Sequence, residues 1–241
     1  MRFAPRDKKR FVDYFFEPPL PASIPVAQDT SRFPVRRIYC VGRNYVEHAR
    51  EMGADPDTEP PFFFSKPADA LVPGGGPIPY PPLTKRLDHE IELVAAIGRT
   101  ADHIDEVRAR DCIVGYAVGV DLTRRDVQAR AKERNQPWDL SKGFDHSAPI
   151  SMMRPAGLIG HPSHGRIELS VNGDIRQSAD LAEMRLSPAA LIAELSKQIT
   201  LKPGDLLFTG TPSGVGPLNR GDHAVAMIEN IGKVAIEISS E

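Results

Sequence analysis

The stretch "DHEIELVAAI", residues 88–97, decides how this chain is read. It ends as pure core and begins with carboxylates at every second position. On an extended strand alternate side chains share a face, so Asp88, Glu90 and Glu92 point one way and His89, Ile91, Leu93, Ala95 and Ile97 the other. Like charges that close repel, and burying them uncompensated costs several kcal/mol each. The pattern demands positive charge among them.

The chain around it has 241 residues, 41% hydrophobic and 26% charged, which is enough for a full globular core. A formal net charge of −2 gives no support for a nucleic-acid or anionic-membrane partner and points to small-molecule ligands. Cys40 and Cys112 lie in apolar stretches without C-x-x-C spacing, which reads as two buried thiols in a reducing compartment. Asp13, Glu17 and the prolines interrupt any apolar run near the start, so a cytoplasmic protein is expected.

Residues 1–35, rich in Pro and Arg, read as an N-terminal extension or small N-terminal piece, and 36–241 as one domain of short strands. Strands are expected at 37–41, 62–65, 89–97, 113–120, 166–171, 205–208, 223–229 and 233–238. Asn172-Gly173 suits a type I′ hairpin turn. Helices are expected at 44–52, with Asn44 and Glu47 as a capping box, Tyr45, Ala49 and Met52 as the core stripe and Gly53 as the stop, at 122–135, and at 187–198. The "PGGGPIPYPP" tract at 73–82 reads as a loop. Strands outnumber helices, which gives an α+β, β-rich class.

Leu93 stands where the second histidine of H-E-x-x-H would be, so that zinc motif is absent. Glu90 and Glu92 form an oxygen-only pair suited to a hard cation, with Asp121 as a third oxygen at the end of "CIVGYAVGVD". A solvated edge-strand face paired to Lys85 and Arg86 remains an even alternative. His48 and Glu51 are i, i+3 neighbours, either an oriented general base or an exposed surface pair. Lys66 and Lys142 are ordinary surface lysines or, as a pair near a cation, anion and oxyanion binders. "TGTPSGVGP" at 209–217 is either a tight turn or an anion-binding nest of N–H groups. No G-x-S-x-G elbow occurs.

Six stretches in order, "YCVGRNYVEHAREMG", "PFFFSKPADAL", "LDHEIELVAAIG", "GYAVGVDLTRRDVQ", "QPWDLSKGFDHSAPIS" and "LLFTGTPSGVGP", resemble the fumarylacetoacetate hydrolase family in its acylpyruvate hydrolase branch, over about residues 36–238. The first two are most similar to fumarylpyruvate hydrolases. The resemblance implies a rolled mixed β-sheet, a homodimer, and Mg²⁺ or Mn²⁺ held by Glu90, Glu92 and Asp121. It implies His48, Glu51 and Lys142 as catalytic residues and Arg43, Lys66, Gln128 and Thr211 lining the substrate site, with Asp88 at the rim or just behind the ligands. The implied activity is metal-dependent cleavage of a 2,4-dioxo acid, fumarylpyruvate to fumarate and pyruvate, in aromatic degradation. An oxaloacetate decarboxylase, an oxo-acid isomerase or tautomerase, and a non-catalytic metal-stabilised protein are the alternatives.

Overall fold

A computed structural model describes residues 15–51 and 60–240. The strand Ile91–Ile97 lies at its centre and is buried at every residue. Ile91, Leu93, Ala95 and Ile97 face the larger core, while Val94 and Ala96 face a second one with Ile38, Cys40, Leu206 and Phe208. A strand covered on both faces must be apolar on both, and "LVAAI" supplies that.

The sheet around it is mixed and curled. Its order is Phe62–Lys66, Arg37–Gly42, Asp205–Phe208, Ile91–Ile97, Ile113–Val120, Ala148–Ile150 and Leu71–Pro73, with Arg154–Pro155 also on Ile113–Val120. Asp205–Phe208 runs parallel to Arg37–Gly42, and Ala148–Ile150 runs parallel to Leu71–Pro73. A second sheet, Asp174–Asp180, Arg166–Val171, His223–Ile228, Gly232–Ile238 and Gly75–Ile78, supplies Ile167, Leu169, Ala226 and Ile236 to the larger core. The alternation of these strands buries every second residue. Asn172 and Gly173 take φ of 54° and 90°, as their hairpin requires.

The hairpin Ser23–Pro25 and Arg32–Pro34 inserts Ile24 into the second core, and Met153 N donates to Pro25 O at 2.8 Å. Residues 22–35 thus cover one face of the large sheet. Both Cys40 and Cys112 are buried free thiols. No helix among the described residues is long and apolar enough to cross a membrane.

Several boundaries differ from expectation for physical reasons. The expected strand 89–97 is interrupted at Glu90, where Leu87–His89 leaves a three-stranded sheet with Thr123–Arg124 and Gly216–Leu218 and the chain enters the large one. The helix expected at 122–135 spans Arg125–Glu133, because Thr123–Arg124 is held as strand by Asp88 and Leu87. The short helix Val46–Glu51 is not capped by Asn44, whose side chain bonds Leu186 and Thr209 instead. Met52 and Gly53 lie outside the described residues, as do residues 1–14 and the side chain of Ala49. Glu106–Cys112 is a helix that composition hides, since Val107 in it is exposed; Asp105 caps it, accepting from Arg108 N at 2.8 Å.

The tract 73–82 is not all loop, for Gly75–Ile78 pairs as a parallel edge strand with Gly232–Ile238. Gly75 has φ of 74°, and a Cβ there would sit 2.1 Å from Ala235 O, so the backbones approach too closely for any side chain. Gly75→Ala should therefore lower stability by about 2–3 kcal/mol. Gly76→Ala, where nothing lies within 4 Å of a built Cβ, should cost about 1 kcal/mol. Urea unfolding midpoints of the two variants check the ordering.

Candidate active site

The break at Glu90 builds the site. Ile91 pairs with Val120 in antiparallel register, which sets Glu90 beside Asp121, and Asp121 N donates to Glu90 O at 2.8 Å. Glu92 lies two residues on, opposite Gly119. One carboxylate oxygen from each of Glu90, Glu92 and Asp121 falls within 4.8 Å of the others, and all three residues are buried. They are not the solvated edge that remained open from sequence, and Arg86 bonds Asp88 rather than either glutamate.

The required positive charge comes from three elements. Lys142, at the end of the helix Asp139–Lys142, reaches Glu90 Oε2 at 2.7 Å and Asp121 Oδ2 at 2.6 Å. Arg125, first in its helix, donates to Glu90 and, at 2.8 Å, to Asp88 Oδ2. Lys66 lies 2.8 Å from Asp121 Oδ1, but that oxygen finds no partner aligned for a hydrogen bond. Burial alone would raise the Glu90 carboxyl, yet Lys142 and Arg125 outweigh it and hold Glu90 well below the usual range. Glu92 makes no direct ion pair with either cation. Burial, then the charges of Asp121 and Glu90, push it well up, against the Lys142 charge and the Gly210 N–H that donates to it at 2.7 Å. The Lys142 ammonium, which burial would discharge, is kept charged by Asp121 and Glu90.

The chemistry of this set fits a hard divalent cation. It offers only oxygens, one of them on a carboxyl whose pKa burial raises and another without a hydrogen bond, so Mg²⁺ or Mn²⁺ suits it better than zinc.

A cleft of about 410 Å³, counting its mouth, opens over the set. Glu90, Glu92, Lys142, His48, Arg43, Gln128 and Thr211 line it together with Arg125, Lys132, Phe62, Phe64 and Trp138. His48 is buried, and its Nδ1 lies 3.3 Å from Glu51 Oε2 on the exposed side of the helix, leaving Nε2 for the cleft. Burial lowers the His48 pKa below its ordinary value, partly opposed by Glu90 and Glu51. Arg43 takes φ of 63° immediately before the helical segment and packs over the Phe62 ring at 5.5 Å. Gln128 Oε1 accepts from Arg125 Nη1 at 2.7 Å.

Lys66 is the expected substrate residue that does not reach the cleft wall. Its ammonium faces Asp121 and donates to the carbonyls of Leu122 and Lys142. Asp88, expected at the rim or just behind the ligands, is fully buried behind Glu90 and fixes Arg125 and Arg86.

The glycine loop after Phe208 does bind an anion, and the anion is Glu92. Its Thr211 Oγ1 accepts from Gln177 Nε2 at 2.8 Å. Gln177 Oε1 in turn accepts from Ile91 N at 3.1 Å and faces His89 Nδ1 at 3.0 Å. Gln177 therefore ties both sides of the Glu90 break to the Thr211 loop. Sequence reading missed it, because "DIRQSAD" is a polar run with nothing to mark one buried amide. Arg125 was also missed, although it stands three residues before Gln128 on the same helix face.

Residues 37–239 match the family model for the fumarylacetoacetate hydrolase C-terminal region. The chain belongs to the fumarylacetoacetate hydrolase family. The crystal structure of fumarylpyruvate hydrolase from Pseudomonas aeruginosa, in complex with Mn²⁺ and pyruvate, is similar with a TM-score of 0.93 at 46% identity, over 95% of this chain and 100% of that one. Oxaloacetate tautomerase YcgM of Escherichia coli strain K12 is 44% identical over 191 residues, 79% of this chain and 87% of that protein. The human mitochondrial oxaloacetate tautomerase FAHD1 is 39% identical over 203 residues, 84% and 91% of the two chains. Family membership makes this chain an enzyme of that group.

The unequal electrostatics of the two glutamates separate their variants. Glu92→Gln should lower the melting temperature of the metal-free protein less than Glu90→Gln does, because Glu90 makes two ion pairs and Glu92 none, yet it should abolish the rise in melting temperature that Mn²⁺ gives the wild type. Glu90→Gln should cost about 3–5 kcal/mol without metal, because Lys142 and Arg125 lose a buried partner. Gln177→Leu should cost about 2–4 kcal/mol by stranding Ile91 N and the Thr211 hydroxyl. Thermal and urea unfolding of each variant provide the check.

Proposed function

We propose that this enzyme hydrolyses the carbon–carbon bond of an acylpyruvate, with fumarylpyruvate as substrate and fumarate and pyruvate as products. The observation that carries this reading is the likeness to the fumarylpyruvate hydrolase structure, which takes in 95% of this chain with a TM-score of 0.93. The catalytic roles given below to His48, Glu51 and Lys142 belong to the same proposal.

Mg²⁺ or Mn²⁺ held by Glu90, Glu92 and Asp121 would supply Lewis acidity toward the 2-oxo acid end of the substrate. Glu51 orients His48 through Nδ1, and Nε2 takes a proton from the water that attacks the 4-carbonyl carbon. Lys142, kept protonated by Glu90 and Asp121, donates to the oxygen that becomes negative there. When the bond between carbons 3 and 4 breaks, the three-carbon enolate departs and carbon 3 receives the proton from His48. Arg125, anchored by Asp88, holds Glu90 in place throughout.

A second reading, oxaloacetate tautomerisation, is favoured by the relatives named oxaloacetate tautomerases. It moves a proton between carbon and oxygen without adding water. Purified protein with Mn²⁺ should destroy the enol absorbance of fumarylpyruvate, release pyruvate and fumarate, and stop in EDTA. Loss of absorbance without pyruvate would favour tautomerisation, and no change with either substrate class would reject hydrolysis. His48→Ala should lower kcat for hydrolysis by about 10²–10⁴-fold while Mn²⁺ still raises the melting temperature.

The pH profile follows from burial. The neutral imidazole is the working form, and the lowered pKa keeps it neutral further into acid. With saturating Mn²⁺ the acid limb of kcat/KM should have its midpoint below 6.5, the ordinary histidine value. Glu51→Gln removes a contribution that raises the pKa and should move that midpoint lower still.

A further inference from the structure

The helix Arg125–Glu133 presents Arg125, Gln128 and Lys132 to the cleft. These are positions i, i+3 and i+7, which share one face. Arg125 is fixed at the carboxylate set by Glu90 and Asp88. Lys132 stands at the mouth, two helical turns and about 10 Å farther along the axis. Its Nζ lies 5.1 Å from the centre of the Trp138 ring. Trp138 packs in turn on Phe62 and Phe64, with ring centres 5.3 and 5.9 Å away. Along the cleft the order is therefore carboxylates with their cations, then an aromatic wall, then an ammonium.

Lys132, unlike Arg125 and Arg130 on the same helix, has no counter-ion. Arg130 on the same helix pairs with Asp126 at 3.6 Å, whereas no acidic residue stands three or four positions from Lys132 and no carboxylate among the described residues lies within ion-pair distance of its Nζ. The charges of Arg125, Arg43 and Lys142 repel it, only partly offset by Glu90. A lysine placed on an aromatic ring among like charges is the complement of an anion that arrives with the ligand.

We propose that Lys132, seated on Trp138, receives the terminal carboxylate of the substrate's acyl arm, so that the site selects 2,4-dioxo acids whose acyl group ends in a carboxylate. This rests on the acylpyruvate reading above. The scale agrees: the two end carbons of a seven-carbon chain lie roughly 7–8 Å apart when extended, within the reach of a lysine two turns from Arg125. The unsaturated middle of a fumaryl arm would lie against Phe62, Phe64 and Trp138.

The test uses a matched pair of ligands that bind without being cleaved, 2-oxoheptanedioate and 2-oxoheptanoate, which differ only in the terminal carboxylate. Calorimetric titration into the Mn²⁺-loaded wild type should show the diacid binding roughly tenfold tighter. Lys132→Met should bring that ratio close to one with the monoacid affinity unchanged, and Lys132→Arg should keep most of it. Equal affinities in the wild type, an unchanged ratio in Lys132→Met, or equal weakening of both ligands would overturn the proposal. Melting curves identify a variant that fails to fold, and Lys132→Gln then replaces it. Wild-type turnover of fumarylpyruvate and acetylpyruvate reads the hydrolase activity separately. Discrimination between the two ligands without any turnover would reject the reaction and keep the carboxylate site.

Discussion

The Lys142 ammonium, shared between Glu90 and Asp121, is the interaction on which the site depends. Several carboxylates are taken out of water within a few ångströms of one another, and each would cost several kcal/mol if left alone. Lys142, Arg125 and Lys66 divide the compensation unevenly. Glu90 receives two cations, Asp121 receives two lysines, and Glu92 receives only a backbone N–H. That unevenness leaves Glu92 as the member of the set with no ion pair of its own, so the set could take a divalent cation.

Holding such a cluster requires a rigid frame, and the frame is the doubly buried strand beside it. Leu93 to Ile97 are clamped between two apolar cores, so the end of the strand at Glu90 cannot drift. The break at Glu90 then turns the chain from one sheet into another, aiming Asp88 at Arg125 and Glu90 at Lys142. Gln177 reaches in from the second sheet to satisfy the backbone at this break, coupling the outer sheet to the Thr211 loop. The helical segment carrying His48 and Glu51 lies over the open side. Its ties to the body include Asn44, whose amide bridges Leu186 and Thr209, and the pairing of Tyr45 with Met184.

Most strands were legible because their residues alternate or run apolar between turn signals. Ile113–Val120, Arg166–Val171 and Asp205–Phe208 fall where periodicity places them. Legibility failed where tertiary contact outweighs local preference. Gly75–Ile78 reads as a loop until a neighbouring strand gives its backbone something to pair with. Asn44 reads as a cap until a distant carbonyl claims its amide. Gln177 carries no local signal at all, since burial of a single amide in a polar strand depends on what folds over it.

By itself the sequence determined that carboxylates at alternate positions lead into a core strand, that an aspartate closes the next buried strand, and that lysines, a histidine and a glycine loop accompany them in order. Those are properties of residue type and spacing. Only the tertiary structure decided which cation meets which carboxylate, that Arg125 belongs to the cluster while Lys66 stays behind it, and that Lys132 faces the cleft without a counter-ion. Pairing of charges is a matter of distance in space, and distance between residues far apart in the chain is set by the register and curvature of sheets that no local pattern encodes.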